Sequence, residues 1–105
     1  MKGKDPTRVL IVDDEAPARS ILREMLSALP DVRILAECAN GFEAVKSASE
    51  LAPDVVFLDI EMPKLDGFEV LELIDPAIAV VFVTAYDSYA LKAFEVRAVD
   101  YVLKP

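Results

Sequence analysis

Val55-Val56-Phe57-Leu58-Asp59-Ile60-Glu61-Met62-Pro63 decides how this chain is read, together with its earlier counterpart Val9-Leu10-Ile11-Val12-Asp13-Asp14-Glu15. In each stretch four apolar residues run without interruption and then give way to acid. A short continuous apolar run rich in β-branched residues is the pattern of a strand covered on both faces. If the two runs are neighbours in one sheet, the carboxylates of Asp13, Asp14 and Asp59 meet at one sheet edge. Like charges that close repel and call for a cation between them. The pair of stretches therefore points to a metal and phosphate site.

The residues around this pair supply the support. Ala18, Ile21, Leu22, Met25, Leu26 and Leu29 recur at three- and four-residue spacing, the stripe of one helix. Pro17 suits its first turn, and Pro30 follows its end. Arg33–Cys38 reads as a second strand. After an Asn40-Gly41 turn, Phe42, Val45, Ala48 and Leu51 mark a second helix, which Pro53-Asp54 breaks. A loop from Met62-Pro63 to Asp66-Gly67 leads to a short helix with Phe68, Leu71 and Ile74 inward, ended by Pro76. Val80–Val83 is a fourth strand, and Ser88 to about Glu95 a fourth helix with Leu91 and Phe94 on one side. Tyr101–Leu103 is a fifth strand before Lys104-Pro105. Phe57, Phe68 and Phe82 read as core. Five strands separated by four helices predict a parallel α/β sheet with right-handed crossovers. Ligands of such sheets bind beyond the C-terminal strand ends, where Asp13, Asp14, Asp59, Thr84 and Lys104 all fall. Residues 1–7 read as a flexible tail and 8–105 as the domain.

Composition narrows the chemistry. The 105 residues suit one domain, and an apolar fraction of 54% is ample for a core. Eleven Lys and Arg against nineteen Asp and Glu leave a net charge of −8. That balance argues against gripping a nucleic-acid backbone and suits a cation or a basic protein partner. With no histidine, His-based catalysis and His metal ligands are excluded. The one cysteine, Cys38, cannot form an internal disulfide and reads as a small core residue. No apolar run approaches the roughly 20 residues of a membrane span. The apolar stretch after the charged N-terminus is too short for a signal peptide. The expectation is a soluble cytoplasmic domain.

Each candidate residue has a chemical use and a plain alternative. Asp14 and Asp59 offer oxygens to Mg²⁺ or Mn²⁺, and Mg²⁺ keeps waters and leaves room for a phosphate oxygen. A carboxylate also attacks phosphorus, giving an acyl phosphate. Thr84 offers a hydroxyl to a phosphoryl oxygen, and Lys104 a mobile cation. Metal and lysine together neutralise charge as the phosphoryl group arrives. Singly, Asp13-Asp14-Glu15 reads equally as the cap of a helix, Asp59 as a turn residue, Thr84 as a strand residue and Lys104 as a solvated charge. Asn40-Gly41 and Asp66-Gly67 read as turns with no chemistry. Joint placement on one edge favours the functional reading.

Five motifs now carry a resemblance: Val-Asp-Asp-Glu at 12–15, Phe-Leu-Asp-Ile-Glu-Met-Pro at 57–63, Asp-Gly-Phe-Glu-Val-Leu at 66–71, Val-Thr-Ala-Tyr at 83–86 and Asp-Tyr-Val-Leu-Lys-Pro at 100–105. In order and approximate spacing they resemble the receiver domain of bacterial two-component response regulators, over residues 8 to 105. The stretch from Thr84 to Phe94 resembles the LytTR (AlgR/LytR) subgroup, whose receiver usually controls a C-terminal DNA-binding domain. The resemblance implies a flavodoxin-like, doubly wound sheet of strand order 2-1-3-4-5. It implies that Asp59 is the phosphoacceptor, that Asp14 binds Mg²⁺ directly and Asp13 through water, and that the Glu61 backbone carbonyl is a further ligand. Thr84 and Lys104 would contact the phosphoryl group, and Tyr101 would be the rotating aromatic of the switch. The Lys104–Pro105 peptide bond would be cis. The donor would be a phosphohistidine on a sensor histidine kinase, so the domain is a phosphoacceptor, able at most to dephosphorylate itself, and not a turnover enzyme.

Two departures stand out. The family continues into a fifth helix beside the first, and this sequence stops at the fifth strand, so the fold is expected to be truncated before that helix. An apolar face would then lie open and favour a homodimer, if this is the whole molecule. The Asp75-Pro76-Ala77-Ile78-Ala79 connection is also short for the family. Two rivals remain. Asp59-Ile60-Glu61 spaces two acids as in metal-dependent phosphohydrolases and TOPRIM-like nucleases, although a nuclease should carry basic surface. A pure interaction module would keep the fold without phosphorylation, against which stands the complete set of Asp13, Asp14, Asp59, Thr84 and Lys104.

Overall fold

Alternation along the strands decides which side of the sheet each helix covers. The computed structural model describes residues 5–104. In chain order it contains β1 (Thr7–Val12), α1 (Ala16–Ser27), β2 (Val32–Cys38), α2 (Gly41–Leu51), β3 (Val55–Leu58), α3 (Gly67–Leu73), β4 (Ala79–Thr84), a 3₁₀ turn (Asp87–Tyr89), α4 (Ala90–Glu95) and β5 (Asp100–Leu103). All strand pairings are parallel, in the order β2-β1-β3-β4-β5. This is the doubly wound, flavodoxin-like sheet that the sequence predicts.

Side chains alternate between the two faces. Leu10 and Val12 of β1, Val56 and Leu58 of β3, and Val80 and Phe82 of β4 pack with Ala44 and Ala48 of α2, Phe68, Val70 and Leu71 of α3, and Ala93 of α4. Val9 and Ile11 turn the other way and meet Leu26 of α1, with Leu22, Val55 and Phe57 beside them. The main core thus lies between the sheet and three helices, and among the described residues α1 is the helix on the opposite face. Burying one large side chain such as Phe82 contributes on the order of 1.5–3 kcal/mol.

The helix ends follow from short-range chemistry. Asn40 caps α2 by accepting from the Glu43 amide, while the Glu43 carboxylate accepts from the Ala39 amide. Asp66 and Glu69 form a reciprocal capping box at the start of α3. Asn40-Gly41 and Asp66-Gly67, which read as turns, are therefore helix starts. At the other end of α2, Ala52 adopts a left-handed φ of 47°, and the Arg8 guanidinium donates to the Ala52 and Leu51 carbonyls. The short connection after α3 closes as a turn in which Asp75 accepts from the Ala77 and Ile78 amides. The Arg97 guanidinium braces it by donating to the Leu71 and Ile78 carbonyls.

Three sequence expectations need correction. The fourth helix splits into a 3₁₀ turn and a short α-helix. Its Leu91 and Phe94 face solvent, at 73% and 88% exposure, and the inward contacts come from Tyr89 and Ala93. Phe42 stands 60% exposed at the start of α2, whose buried stripe is Gly41, Ala44 and Ala48. Spacing identifies a stripe, but not which neighbour covers it. The cis bond expected at Lys104–Pro105 lies outside the described residues. On the α1 face, Ile21, Met25 and Leu29 are half-exposed beside Val83, Val102 and Leu103, and together they line an open apolar groove of about 760 Å³.

Candidate functional site

Pairing register brings the acids together. Val12 lies opposite Leu58 in the β1–β3 ladder, so Asp13 and Asp59 leave the sheet at the same level. The ladder continues one step past each strand: the Asp59 amide donates to the Val12 carbonyl at 2.9 Å, and the Asp13 amide to the Cys38 carbonyl at 3.0 Å. One carboxylate oxygen from each of Asp13, Asp14 and Asp59 lies within 4.8 Å of the other two. Asp13 and Asp59 are buried, and Asp14 is exposed. The Asp13 trio supplies no side-chain cap, because Glu15 is the N-cap of α1 and its side chain makes no capping hydrogen bond. Instead Asp13 Oδ1 accepts from the Glu15 amide at 2.9 Å, which fixes the turn. Arg19 donates to the Asp13 carbonyl and holds that turn from α1.

Lys104 arrives from the end of β5, where its amide donates to the Thr84 carbonyl at 2.8 Å. Its ammonium sits 2.7 Å from Asp13 Oδ2, 3.4 Å from Asp59 Oδ2 and 3.8 Å from Glu15 Oε1. Burial opposes this charge, yet the hydrogen bond to Asp13 and the charges of Asp59 and Asp13 outweigh it and raise the lysine pKa. The pKa of Asp59 is also raised, first by burial and then by the charge of Asp13, with Lys104 and the Ile60 amide pulling the other way. One lysine thus offsets only part of the repulsion among three acids. A hard divalent cation prefers oxygen ligands from one or two carboxylates and retains several waters. Two buried carboxylates and one solvent-facing one fit such an ion, and Asp14 and Asp59 of the three line a pocket of about 320 Å³.

The remaining predicted residues surround this centre. Thr84 closes β4 fully buried, and its Oγ1 accepts from the Tyr86 amide at 3.4 Å. Glu61 follows the buried Ile60 on the loop after β3, and its side chain is exposed. Tyr101 is half-buried on β5, and its hydroxyl donates to the Tyr86 carbonyl.

Two features escaped the sequence reading. Gly67, at the start of α3, lies so near the site that a Cβ there would come 2.4 Å from the Asp59 carbonyl. Its amide donates to the Ile60 carbonyl at 2.8 Å and holds the loop. The second feature is Tyr89, whose hydroxyl donates to Glu61 Oε2 at 2.5 Å. The Tyr86-x-x-Tyr89 spacing, which sets both rings on one side of a helical turn, was the signal available for it.

Chemically, the arrangement offers a partly buried carboxylate, Asp59, open to an electrophile, with cationic help on one side and a hydroxyl-bearing strand on the other. Known proteins resemble this chain. The family described as "Response regulator receiver domain" matches residues 9–105. An uncharacterised response regulatory protein of Yersinia pestis is 53% identical over 100 residues, and the transcriptional regulatory protein BtsR of Salmonella typhi is 51% identical. Each match covers 93% of this chain and 42% of the relative, so the chain spans about two fifths of the length of these relatives. Among solved structures, the response regulator domain of Thermotoga maritima CheB superposes with a TM-score of 0.88 at 38% identity, covering 95% of this chain and 79% of that one. The response regulatory domain of mrkE from Klebsiella pneumoniae gives 0.84 at 33% identity, over 93% of this chain and 83% of that one. With its sheet order, its acid-lined strand ends and these relatives in agreement, the chain belongs to the response regulator receiver domain family.

Proposed function

We propose that Asp59 is the phosphoacceptor of this receiver domain, taking its phosphoryl group from the phosphohistidine of a sensor histidine kinase. The observation that carries this is the meeting of the Asp13, Asp14 and Asp59 carboxylates within 4.8 Å, with the Lys104 ammonium against two of them. An Asp59 carboxylate oxygen forms the new bond to phosphorus as the bond from phosphorus to the imidazole nitrogen breaks, and the imidazole leaves with that electron pair. Asp13, Asp14, Asp59 and the backbone carbonyl of Glu61 would hold Mg²⁺ or Mn²⁺, which supplies charge neutralisation to the phosphoryl oxygens. Lys104 leaves its ion pairs to meet one phosphoryl oxygen, and the Thr84 hydroxyl donates to another. Movement of Thr84 vacates space beside Tyr101, which turns into it and reshapes the surface of α4 and β5. A DNA-binding output domain of LytTR type in the full-length protein reads that surface in the cytoplasm, and the acidic receiver itself makes no nucleic-acid contact.

Intact-mass measurement after incubation with acetyl phosphate tests the central assignment. One phosphoryl increment is expected with Mg²⁺, little without it, and none in Asp59→Asn. Labelling of the Asp59→Asn protein at another residue would overturn the assignment. Thr84→Ala should retain Mg²⁺ binding while weakening the surface change; equal loss of both would remove Thr84 as the relay.

A further inference from the structure

Glu61 is the acid that the site does not use through its side chain. It lines the same pocket as Asp14, Asp59 and Lys104. An exposed glutamate on a loop is free to sample several rotamers, some pointing at the pocket and some away. Here one hydrogen bond restricts it: Oε2 accepts from the Tyr89 hydroxyl at 2.5 Å, across 28 positions of sequence. The three-acid cluster does not include Glu61.

Tyr89 can hold its partner because it is itself held. Its ring meets Phe68 edge-on at 5.9 Å, and Phe68 packs on the fully buried Phe82 at 5.0 Å. Lys92 lies over the other ring of this stack, 4.2 Å from the Phe68 centroid. On the outer side Tyr86 packs edge-on against Tyr89 at 6.2 Å. The hydroxyl therefore projects from an aromatic post rooted in the core. The Tyr89 phenol pKa is raised, chiefly by this hydrogen bond to Glu61, as befits a phenol that keeps its proton for a carboxylate.

We propose that Tyr89 is a positioning residue for phosphoryl transfer: it holds the Glu61 carboxylate outside the cation and phosphoryl site. The inference rests on the phosphoacceptor reading above. Without the hydroxyl, Glu61 is released as a fourth carboxylate at the site. A divalent cation then binds more tightly, while an anionic phosphodonor meets additional repulsion. Exposed charge pairs of this kind change equilibria by roughly 2- to 5-fold.

Tyr89→Phe removes the hydroxyl and keeps the ring stack. We would measure Mg²⁺ affinity by titration calorimetry and the initial rate of acetyl-phosphate labelling at saturating Mg²⁺. The proteins compared would be wild type, Tyr89→Phe, Glu61→Gln and the double variant. Tyr89→Phe should bind Mg²⁺ about 2- to 5-fold more tightly and label about 2- to 5-fold more slowly, and both effects should vanish in the Glu61→Gln background. Unchanged Mg²⁺ affinity in Tyr89→Phe, or the same shift with and without Glu61, overturns the proposal. Should Tyr89→Phe fold poorly, Tyr89→Met, which also lacks the hydroxyl, takes its place: tighter Mg²⁺ binding than wild type is expected, and equal or weaker binding overturns the proposal. A wild-type protein that binds Mg²⁺ yet takes no label sinks the phosphoacceptor reading, while the Mg²⁺ titrations still judge the role of Tyr89.

Discussion

Replacing Gly67 by Ala should destabilise the fold and disturb the site at once. A methyl group at this position would lie 2.4 Å from the Asp59 carbonyl oxygen and 2.9 Å from Ile60 Cα, both backbone atoms, where ordinary contact begins near 3.4 Å. The loop after β3 must therefore withdraw from α3 by about 1 Å, and it cannot do so by rotating a side chain. Overpacking of this kind costs about 1–3 kcal/mol. Against it stands the better helix propensity of Ala, at most about 1 kcal/mol, an amount that already contains the backbone entropy of Gly. At the middle of that range a net loss of about 1 kcal/mol remains, which for a domain of this size lowers Tm by roughly 4–8 °C. Thermal unfolding followed by circular dichroism measures it. Because the contact is to Asp59 itself, Mg²⁺ affinity should fall in the same protein. A Gly67→Ala variant that melts at or above the wild-type temperature would show that the packing of α3 on the site loop is not the constraint argued here.

Three further outcomes follow from the same geometry. The raised Asp59 pKa means that the folded state holds this proton more tightly than the unfolded chain; stability is lost as pH rises from about the ordinary value of 3.8 through the folded pKa, and the full penalty persists at neutral pH. Asp59→Asn should accordingly melt higher than wild type at pH 7, and the advantage should disappear below about pH 4; an equal advantage at both pH values would contradict the assignment. Saturating Mg²⁺ relieves the same repulsion, so a cation at 100 times its Kd should add about 2.7 kcal/mol of stability, reversed by a chelator and reduced in Asp14→Asn. Arg97→Met removes the donors to the Leu71 and Ile78 carbonyls and should cost about 1–3 kcal/mol in chemical denaturation, with phosphorylation of the native protein retained.

How much of this was legible depended on the range of the interaction. Continuous apolar runs ending in acid at Val12 and Leu58 specify both the strands and their shared edge, because a parallel sheet sets all its C-terminal strand ends on one side. The helix starts at Asn40 and Asp66 were visible as polar-glycine pairs, but a turn and a cap use the same residues, and only the Glu three positions after each separates them. Solvent exposure of Leu91, Phe94 and Phe42 could not be read from spacing, since periodicity defines a face without naming what packs on it. The contact between Tyr89 and Glu61 joins a 3₁₀ turn to a loop 28 residues away, and nothing local encodes the distance between them. Gly67 belongs to the same class: its purpose lies in an approach to Asp59 that only the folded chain creates.

Charge balance ties the site to the switch. Three carboxylates against one ammonium leave two negative charges of the cluster uncompensated, and burial first, then the charge of Asp13, makes the Asp59 carboxyl resist ionisation. Asp13, Asp14 and Asp59 would hold a divalent ion that offsets those two charges, and under the proposed chemistry it would have to be present before an anionic donor approaches. Phosphorylation then replaces the single charge of Asp59 by one closer to two, and the pocket is again in excess by about one. In the proposed mechanism that surplus would be met by moving donors, the hydroxyl of the fully buried Thr84 and the Lys104 ammonium. Thr84 is the last residue of β4, Tyr86 follows two residues later, and the Tyr86 carbonyl accepts from Tyr101 on β5. A donor drawn toward phosphorus at one end of this short run therefore pulls on the anchor of Tyr101 at the other. Under the proposed function, the same electrostatic imbalance that would recruit a cation would also drive the rearrangement of the surface formed by α4 and β5.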